Sequence, residues 1–478
     1  MPKSDLWALL EENGRSGVYP MHMPGHKRQD HDLCPGFPWH CDITEIDGFD
    51  DLHHPQGILL EAQQRAARLF GSDEAWLLVN GSTCGLLAAV GACTDPGDTV
   101  LIARNCHKSA YHALELWGLR PVYLEPACGP FPFCGSIPPE AVEKALRQFP
   151  TVRTVILTSP TYEGVVSDIG RIAALCHRAH IPLIVDSAHG AHLGFDPGFP
   201  KSAVQCGADL VVQSLHKTLP APTQTAVLHR SGTLVDPERV SHQLDIFETS
   251  SPSYPLLAMA DRCLQLLEQE GQVRFSAYRQ RLARLEKRCR ALQNLVLYTE
   301  ERLQQEAGFC WDFDPGKLVI GCGSCGLDGP ALMERLRTGF RIEAEMALPG
   351  YLLAMTSLMD SDEGLDRLAD ALLSLDRQAG FAAKPPDPPV PPVPRSVLSV
   401  GEALRADWEP VRWQDAAGRV SAQYLWAYPP GVPWVTPGEE IEEDCIRAVL
   451  RAGEAGISLR ATRKTPPGTA AVLASTKA

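Results

Sequence analysis

Lys217 stands directly after an apolar run, in Val211-Val212-Gln213-Ser214-Leu215-His216-Lys217-Thr218, and Asp186 closes another, Leu183-Ile184-Val185-Asp186-Ser187-Ala188-His189. A lysine amine taken partly out of water loses its proton readily and can form a Schiff base with a carbonyl carbon. An aspartate at the carboxyl end of a buried strand can hold a ring nitrogen protonated. Each has an ordinary alternative: a solvated strand-end lysine, or an aspartate capping a turn or helix. A third segment adds weight to the chemical reading. The run Ala75-Trp76-Leu77-Leu78-Val79 passes into Asn80-Gly81-Ser82-Thr83-Cys84-Gly85 and then a helical stretch, Leu86 to Cys93. Glycine admits close backbone approach, Ser82 and Thr83 offer hydroxyls, and a helix N-terminus presents free amides, which together make a cup for phosphate. Taken alone, that segment is also a glycine turn with a Ser/Thr cap. His107, in Arg104-Asn105-Cys106-His107-Lys108-Ser109, can stack on a flat heterocycle or simply sit in a capping loop. A Schiff-base lysine, an acidic partner for a pyridinium nitrogen and a phosphate cup are the parts that seat pyridoxal phosphate.

These residues need a scaffold that brings strand ends together. From about residue 74 to 230, short apolar runs alternate with helical patterns: 75–79, 99–102, 122–124, 152–157, 182–185, 209–212 and 226–228. Continuous apolar strands separated by helices predict an α/β fold with a mostly parallel sheet covered on both faces, whose ligands bind outside the strands' carboxyl ends. After Tyr254 the pattern predicts a long helix to about residue 306, then a small α/β unit with strands 317–320 and 352–356 around a helix 330–337. Lys384 to Pro394 is a proline-rich extended linker. A last segment carries helices near 397–405 and 440–452. The expected division is an N-terminal segment 1–73, a large domain 74–255, a connector helix and small domain 256–384, a linker 385–395 and a C-terminal domain 396–478.

Composition narrows the setting. The 44 basic and 58 acidic residues give a formal charge of −14, and no basic block forms a phosphate-backbone footprint, so nucleic acid is not an expected partner. No run reaches the roughly 20 apolar residues of a membrane span, and the start of the chain lacks a signal-peptide core. Fifteen scattered cysteines suit reduced thiols, and the chain reads as cytoplasmic. Cys322-Gly323-Ser324-Cys325 lacks a second ligand pair and reads as a glycine-rich loop. The N-terminal histidines His22, His26, His31, His40, His53 and His54 are irregularly spaced, and no metal site is expected from them.

Met23-Pro24-Gly25-His26-Lys27, Arg104 to Ser109, Asp186-Ser187-Ala188-His189-Gly190-Ala191-His192, Ser214-Leu215-His216-Lys217-Thr218-Leu219-Pro220 and Tyr428-Pro429-Pro430-Gly431-Val432-Pro433 stand in one order along the chain. In wording and order they resemble the Orn/Lys/Arg decarboxylase family, in its short form without the N-terminal receiver-like wing. The resemblance implies a fold-type I pyridoxal-phosphate enzyme with a large domain, a small α/β domain and a C-terminal decarboxylase domain. By position it implies that Lys217 forms the Schiff base, Asp186 pairs with the pyridinium nitrogen, His107 stacks on the ring and His189 lies against its other side. Ser82 and Thr83, with Ser214 and His216, would hold the phosphate. One departure is Ser187, where many members carry glutamate, which removes a charge beside Asp186.

The reaction so implied is α-decarboxylation of arginine, lysine or ornithine, with arginine favoured because short-form relatives are often so assigned. His216 or Lys217 would return the proton to Cα, and the pathway would be polyamine synthesis or acid resistance. For the substrate's cationic end the candidates are Glu439, in Thr436-Pro437-Gly438-Glu439, and Ser251 and Tyr254 in a loop that in this fold tends to reach a neighbouring subunit's site. Glu439 equally reads as a helix-start acid. A homodimer or higher homo-oligomer follows. Two other readings stand beside this one: an aminotransferase or β-lyase of the same fold, and an inactive homologue that binds a polyamine or protein partner.

Overall fold

Eight strands between residues 74 and 230 carry the site: β1 (Glu74–Leu78), β2 (Thr99–Ala103), β3 (Arg120–Leu124), β4 (Val152–Thr158), β5 (Val165–Val166), β6 (Leu183–Asp186), β7 (Leu210–Ser214) and β8 (Ala226–Arg230). They come from a computed structural model that describes residues 5–29, 34, 36–322, 326–378, 394–427, 431–454 and 457–474. His31, Cys325, Tyr428 to Pro430 and residues 385–393 of the proline-rich linker lie outside the described residues.

All of these strands except β5 form one sheet in the order β1-β8-β7-β6-β4-β2-β3. Strands β3, β2, β4, β6 and β7 run parallel, while β8 is antiparallel to both its neighbours. The expected mostly parallel α/β sheet is therefore present. Every residue of β6 and β7 is buried, as apolar runs covered on both faces require. Because β6 and β7 are adjacent, Asp186 and the segment after Ser214 emerge side by side.

The helix Gly81–Cys93 begins earlier than its apolar pattern suggested, so Ser82 and Thr83 fall in its first turn. It lies close on the sheet because Gly85 has no side chain. A Cβ there would sit 2.6 Å from Leu78 Cδ1 and 3.1 Å from Val212 Cγ1.

The long helix runs from Tyr254 to Cys289, 36 residues, and stops well short of 306. Asp376, from the helix Asp362–Gln378, accepts the N–H groups of Gln293, Asn294 and Leu295 at 3.0, 2.7 and 2.6 Å. The acid thus takes over backbone donors a helix would have used. The strand β9 (Val296–Leu297) follows, with β10 (Asp312–Phe313), β11 (Lys317–Gly321), β12 (Met346–Leu348) and β13 (Tyr351–Met355). Four of these form a small sheet, β12-β13-β11-β9, while β10 pairs with β5 and ties the small sheet to the large domain. Helices of the N-terminal segment share a core with the long helix and the small sheet, through residues such as Leu10, Leu59, Phe275 and Leu352.

The last segment holds β14 (Trp408–Arg412), β15 (Leu425–Ala427), β16 (Pro433–Val435), β17 (Leu459–Ala461) and β18 (Thr469–Leu473), with a helix Glu443–Glu454. Its own core includes Trp434, Val435, Ile446 and Val472. It docks on the large domain through Lys108 N–H to Gly431 O at 3.0 Å and Tyr424 Oη to Tyr111 O at 3.2 Å. Among the described residues no helix is long and apolar enough to cross a membrane, and the described cysteines are free thiols.

Candidate active site

One cavity of about 890 Å³ opens at the carboxyl ends of the parallel strands. Ser82, Thr83, His107, Asp186, His189, Ser214, His216 and Lys217 all line it. Four chain segments far apart in sequence meet there because the sheet order sets their strand ends together.

Lys217 follows β7 in a single helical turn, Leu215–Thr218. Burial lowers its proton affinity, partly countered by the Asp186 carboxylate, so the amine is freed of its proton more easily than an exposed lysine. Its Nζ lies 3.1 Å from His189 Nε2. Asp186 is 6% exposed and accepts the Ala188 N–H at 3.1 Å. Burial raises its pKa while Lys217 lowers it, so a cation held nearby would favour the charged carboxylate.

His107 caps the helix Lys108–Trp117 with its ring, Nδ1 accepting from Ser109 N–H at 3.3 Å. Burial and the Lys217 charge push its pKa down to about 3, and the imidazole stays neutral. His216 donates from Nδ1 to Thr225 O at 3.0 Å, leaving Nε2 as its other ring nitrogen. Ser214 Oγ donates to Ser82 Oγ at 3.0 Å, which brings two hydroxyls to the N-terminus of the helix Gly81–Cys93. Gly81 there has a φ of +78°, a left-handed turn natural to glycine.

Three expected substrate residues lie outside this cavity in the chain. Glu439 is 1% exposed, its Oε2 accepting the Thr436 N–H at 2.7 Å and facing Arg104 Nη2 at 3.3 Å. The acid is spent on a buried ion pair that holds the C-terminal domain to the loop carrying His107. Arg104 also donates to Trp434 O at 2.8 Å and Tyr111 Oη at 3.0 Å. Tyr254 is fully buried, donating from Oη to Asp50 O at 2.6 Å, and Ser251 is exposed on the surface. Ser187 is fully buried beside Gly190, where a Cβ would meet its Oγ at 2.4 Å.

Three of the N-terminal histidines face carboxylates. His26 faces Asp42 at 3.2 Å, His53 faces Asp245 at 2.8 Å, and His40 faces Glu11 at 3.2 Å beside Cys41.

Sequence reasoning missed four residues at the site. Glu163 and Glu345 line the cavity, Tyr351 Oη donating to the first at 2.7 Å and Tyr162 Oη donating to the second. The Tyr162 ring also lies against His189, centroids 4.5 Å apart. Lys317, at the start of β11, puts Nζ 2.7 Å from His189 Nδ1. A lysine opening a strand reads as a solvated end, and nothing local marks its burial; Thr161-Tyr162-Glu163 follows the β4 end, the one position that could have flagged Tyr162 and Glu163.

The residues fit pyridoxal phosphate. An amine freed by burial suits its aldehyde, a buried aspartate suits its ring nitrogen, and helix amides with paired hydroxyls suit its phosphate. Asn105 Oδ1, in a residue that lines the cavity, is buried without a hydrogen-bond partner, which leaves an acceptor for a donor on a bound molecule.

Residues 8–321 match the major domain of Orn/Lys/Arg decarboxylases and residues 392–458 match their C-terminal domain. The chain is 34% identical to the uncharacterized protein YaaO of Bacillus subtilis over 93% of each chain. It is 32% identical to an arginine decarboxylase of Halalkalibacterium halodurans, covering 96% of this chain and 95% of that one. Among solved structures, the lysine decarboxylase of Francisella novicida superposes with a TM-score of 0.82 at 19% identity, over 98% of this chain and 80% of that one. That likeness is one of fold.

Proposed function

The chain belongs to the Orn/Lys/Arg decarboxylase family, and from that premise we propose that it decarboxylates arginine to the corresponding amine and CO₂ with pyridoxal phosphate as cofactor. The observation that carries the reading is the convergence of Lys217, Asp186, His107 and the Ser82–Ser214 pair on one cavity. Lys217 would hold the cofactor covalently, Asp186 would face its ring nitrogen, His107 and His189 would flank its ring, and Ser82, Thr83, Ser214 and His216 would hold its phosphate. When bound, the cofactor supplies an electron sink for the pair left at Cα by departing CO₂. The chain's own residues set the conditions for that. Asp186 would supply a negative charge to a ring nitrogen, the neutral His107 and His189 would keep water from the ring, and Lys217 or His216 Nε2 would return a proton to Cα.

Two features support decarboxylation of a basic substrate over amino transfer. The described cavity lining contains the carboxylates Glu163 and Glu345, which suit a cationic side chain. It contains no arginine of the kind that clamps an α-carboxylate, the group a decarboxylase must leave free to depart. Arginine is put ahead of lysine and ornithine because the relatives that cover 96% of the chain include arginine decarboxylases. We further propose a cytoplasmic homodimer, in which the exposed Ser251 loop serves the neighbouring copy.

The test is incubation of the purified protein and pyridoxal phosphate with arginine, lysine and ornithine in turn, reading amine, CO₂ and keto acid. Amine and CO₂ from arginine are expected, with no keto acid. Keto acid without CO₂ overturns the reading in favour of amino transfer, and turnover of none of the three favours an inactive homologue.

A further inference from the structure

Of the two glutamates in the cavity wall, Glu345 is exposed and Glu163 is 8% exposed. A carboxylate taken out of water is costly unless a cation or backbone N–H groups compensate it. Other buried acids have that compensation. Glu439 has Arg104, Asp314 has His192, Asp261 has Arg65, and Asp376 accepts three backbone N–H groups. Asp186 accepts the N–H of Ala188. Glu163 has neither kind of partner among the described residues. Its one hydrogen bond comes from a neutral phenol, Tyr351 Oη to Oε1 at 2.7 Å, and Oε2 is left over in the cavity wall.

That carboxylate is nevertheless fixed in place. Glu163 lies in the turn between β4 and β5, while Tyr351 opens β13 of the small sheet and is fully buried. The adjoining Tyr162 donates in the opposite direction, to Glu345 just before β12. Each lobe thus lends a phenol to the other's acid. A phenol orients a carboxylate without supplying the positive charge that would cancel it. Lys317, within electrostatic range of Glu163, puts its Nζ 2.7 Å from His189 Nδ1 and makes no ion pair with the acid.

The neighbours say what kind of cation fits. Lys217 follows β7, Asp186 closes β6 and Glu163 follows β4, three successive strands of the main sheet, so the acid shares a rim with the reacting amine. The Phe133 ring meets that of Tyr351 edge-on, centroids 5.7 Å apart, and Phe133 and Leu348 line the same cavity. One carboxylate beside apolar surface suits an ammonium or guanidinium on a methylene stem, whereas a hard metal ion needs several oxygen ligands.

We propose, resting on the function proposed above, that Glu163 is the specificity-determining residue: its carboxylate, oriented by Tyr351, receives the cationic end of the substrate's side chain. A side chain of equal length without the charge would leave the buried acid uncompensated, and the site would reject it for that reason.

Binding tests this without turnover. The full-length protein loaded with pyridoxal phosphate is titrated by calorimetry with agmatine, the guanidinium amine that arginine would give, and with pentylamine, which keeps the amine and the stem and lacks the distal charge. The parent should prefer agmatine by about tenfold or more, the scale of one hydrogen bond between charged groups. E163Q keeps an acceptor for Tyr351 and should remove most of that preference, while pentylamine affinity stays within about threefold of the parent. E163S should do the same, so a folding failure in one leaves the other to report. Y351F should lower the preference in the same sense by a smaller factor, and E345Q should retain more of it than E163Q does. A parent that binds the two amines alike overturns the proposal. So does a preference that survives in the folded Glu163 variants, or an equal weakening of both amines, which would assign Glu163 a structural role only. Agmatine held through Glu163 by a protein that releases no CO₂ would sink the decarboxylase reading and leave this one. CO₂ from arginine with the preference intact in E163Q would do the reverse.

Discussion

At Asp186, burial and function pull in opposite directions. The site's low exposure favours the protonated acid, and only a cation beside it keeps the carboxylate charged. Replacing it with asparagine should leave the fold and cofactor binding in place while lowering turnover by roughly 10²-fold or more, the scale of lost charge stabilisation at a reacting centre. Steady-state kinetics with a parallel titration of bound cofactor checks this. K217A should go further, abolishing both CO₂ release and the visible absorbance of covalently held cofactor; an unaltered spectrum would remove Lys217 from the assigned role. Both residues were legible because each follows an apolar strand, and strand ends are where such sheets bind ligands. Lys317 was not, because its meaning depends on His189, a contact that forms only when two lobes meet. Glu439 was legible as a notable acid, and only the fold shows that Arg104 has already claimed it.

The elements show the same division. All seven strands of the main sheet coincide with apolar runs, whose burial on both faces leaves a strong imprint on sequence. The end of the long helix was misread because the signal lies in Asp376, more than eighty residues downstream of the helix it stops. The loop after β2 is the element most open to experiment, since it carries both Arg104 and His107. R104M strands Glu439 as a buried acid with one hydrogen-bond partner fewer, and should cost about 3 kcal/mol or more of stability. A lower urea midpoint with KM for the amino acid unchanged is expected in E439Q as well, though milder. A raised KM with an unchanged midpoint would return Glu439 to the list of substrate ligands. G85V tests the other wall. The added side chain must push the helix Gly81–Cys93 away from Leu78 and Val212, costing about 1–3 kcal/mol and weakening cofactor binding through Ser82.

For the whole molecule, the buried Lys317 carries a stability cost. Its folded pKa is lowered to about 8 from an ordinary 10.5, chiefly by burial. Between those values the unfolded chain binds a proton that the folded chain releases, so this group's contribution makes stability rise with pH over that window. Below about pH 8 the full penalty applies, on the order of 3 kcal/mol. K317M should therefore be more stable than the parent near neutral pH, and the gap should close as pH is raised toward 10.5. Melting temperatures of the two proteins across that range decide it; a constant or widening gap contradicts the assignment.

The 2.7 Å contact from Lys317 to His189 joins β11 of the small sheet to the loop after β6 of the large one. Three further pairs cross the same boundary, Tyr351 to Glu163, Tyr162 to Glu345 and His192 to Asp314. The cavity wall is therefore stitched from both lobes, and a change that parted them would open it at four places at once.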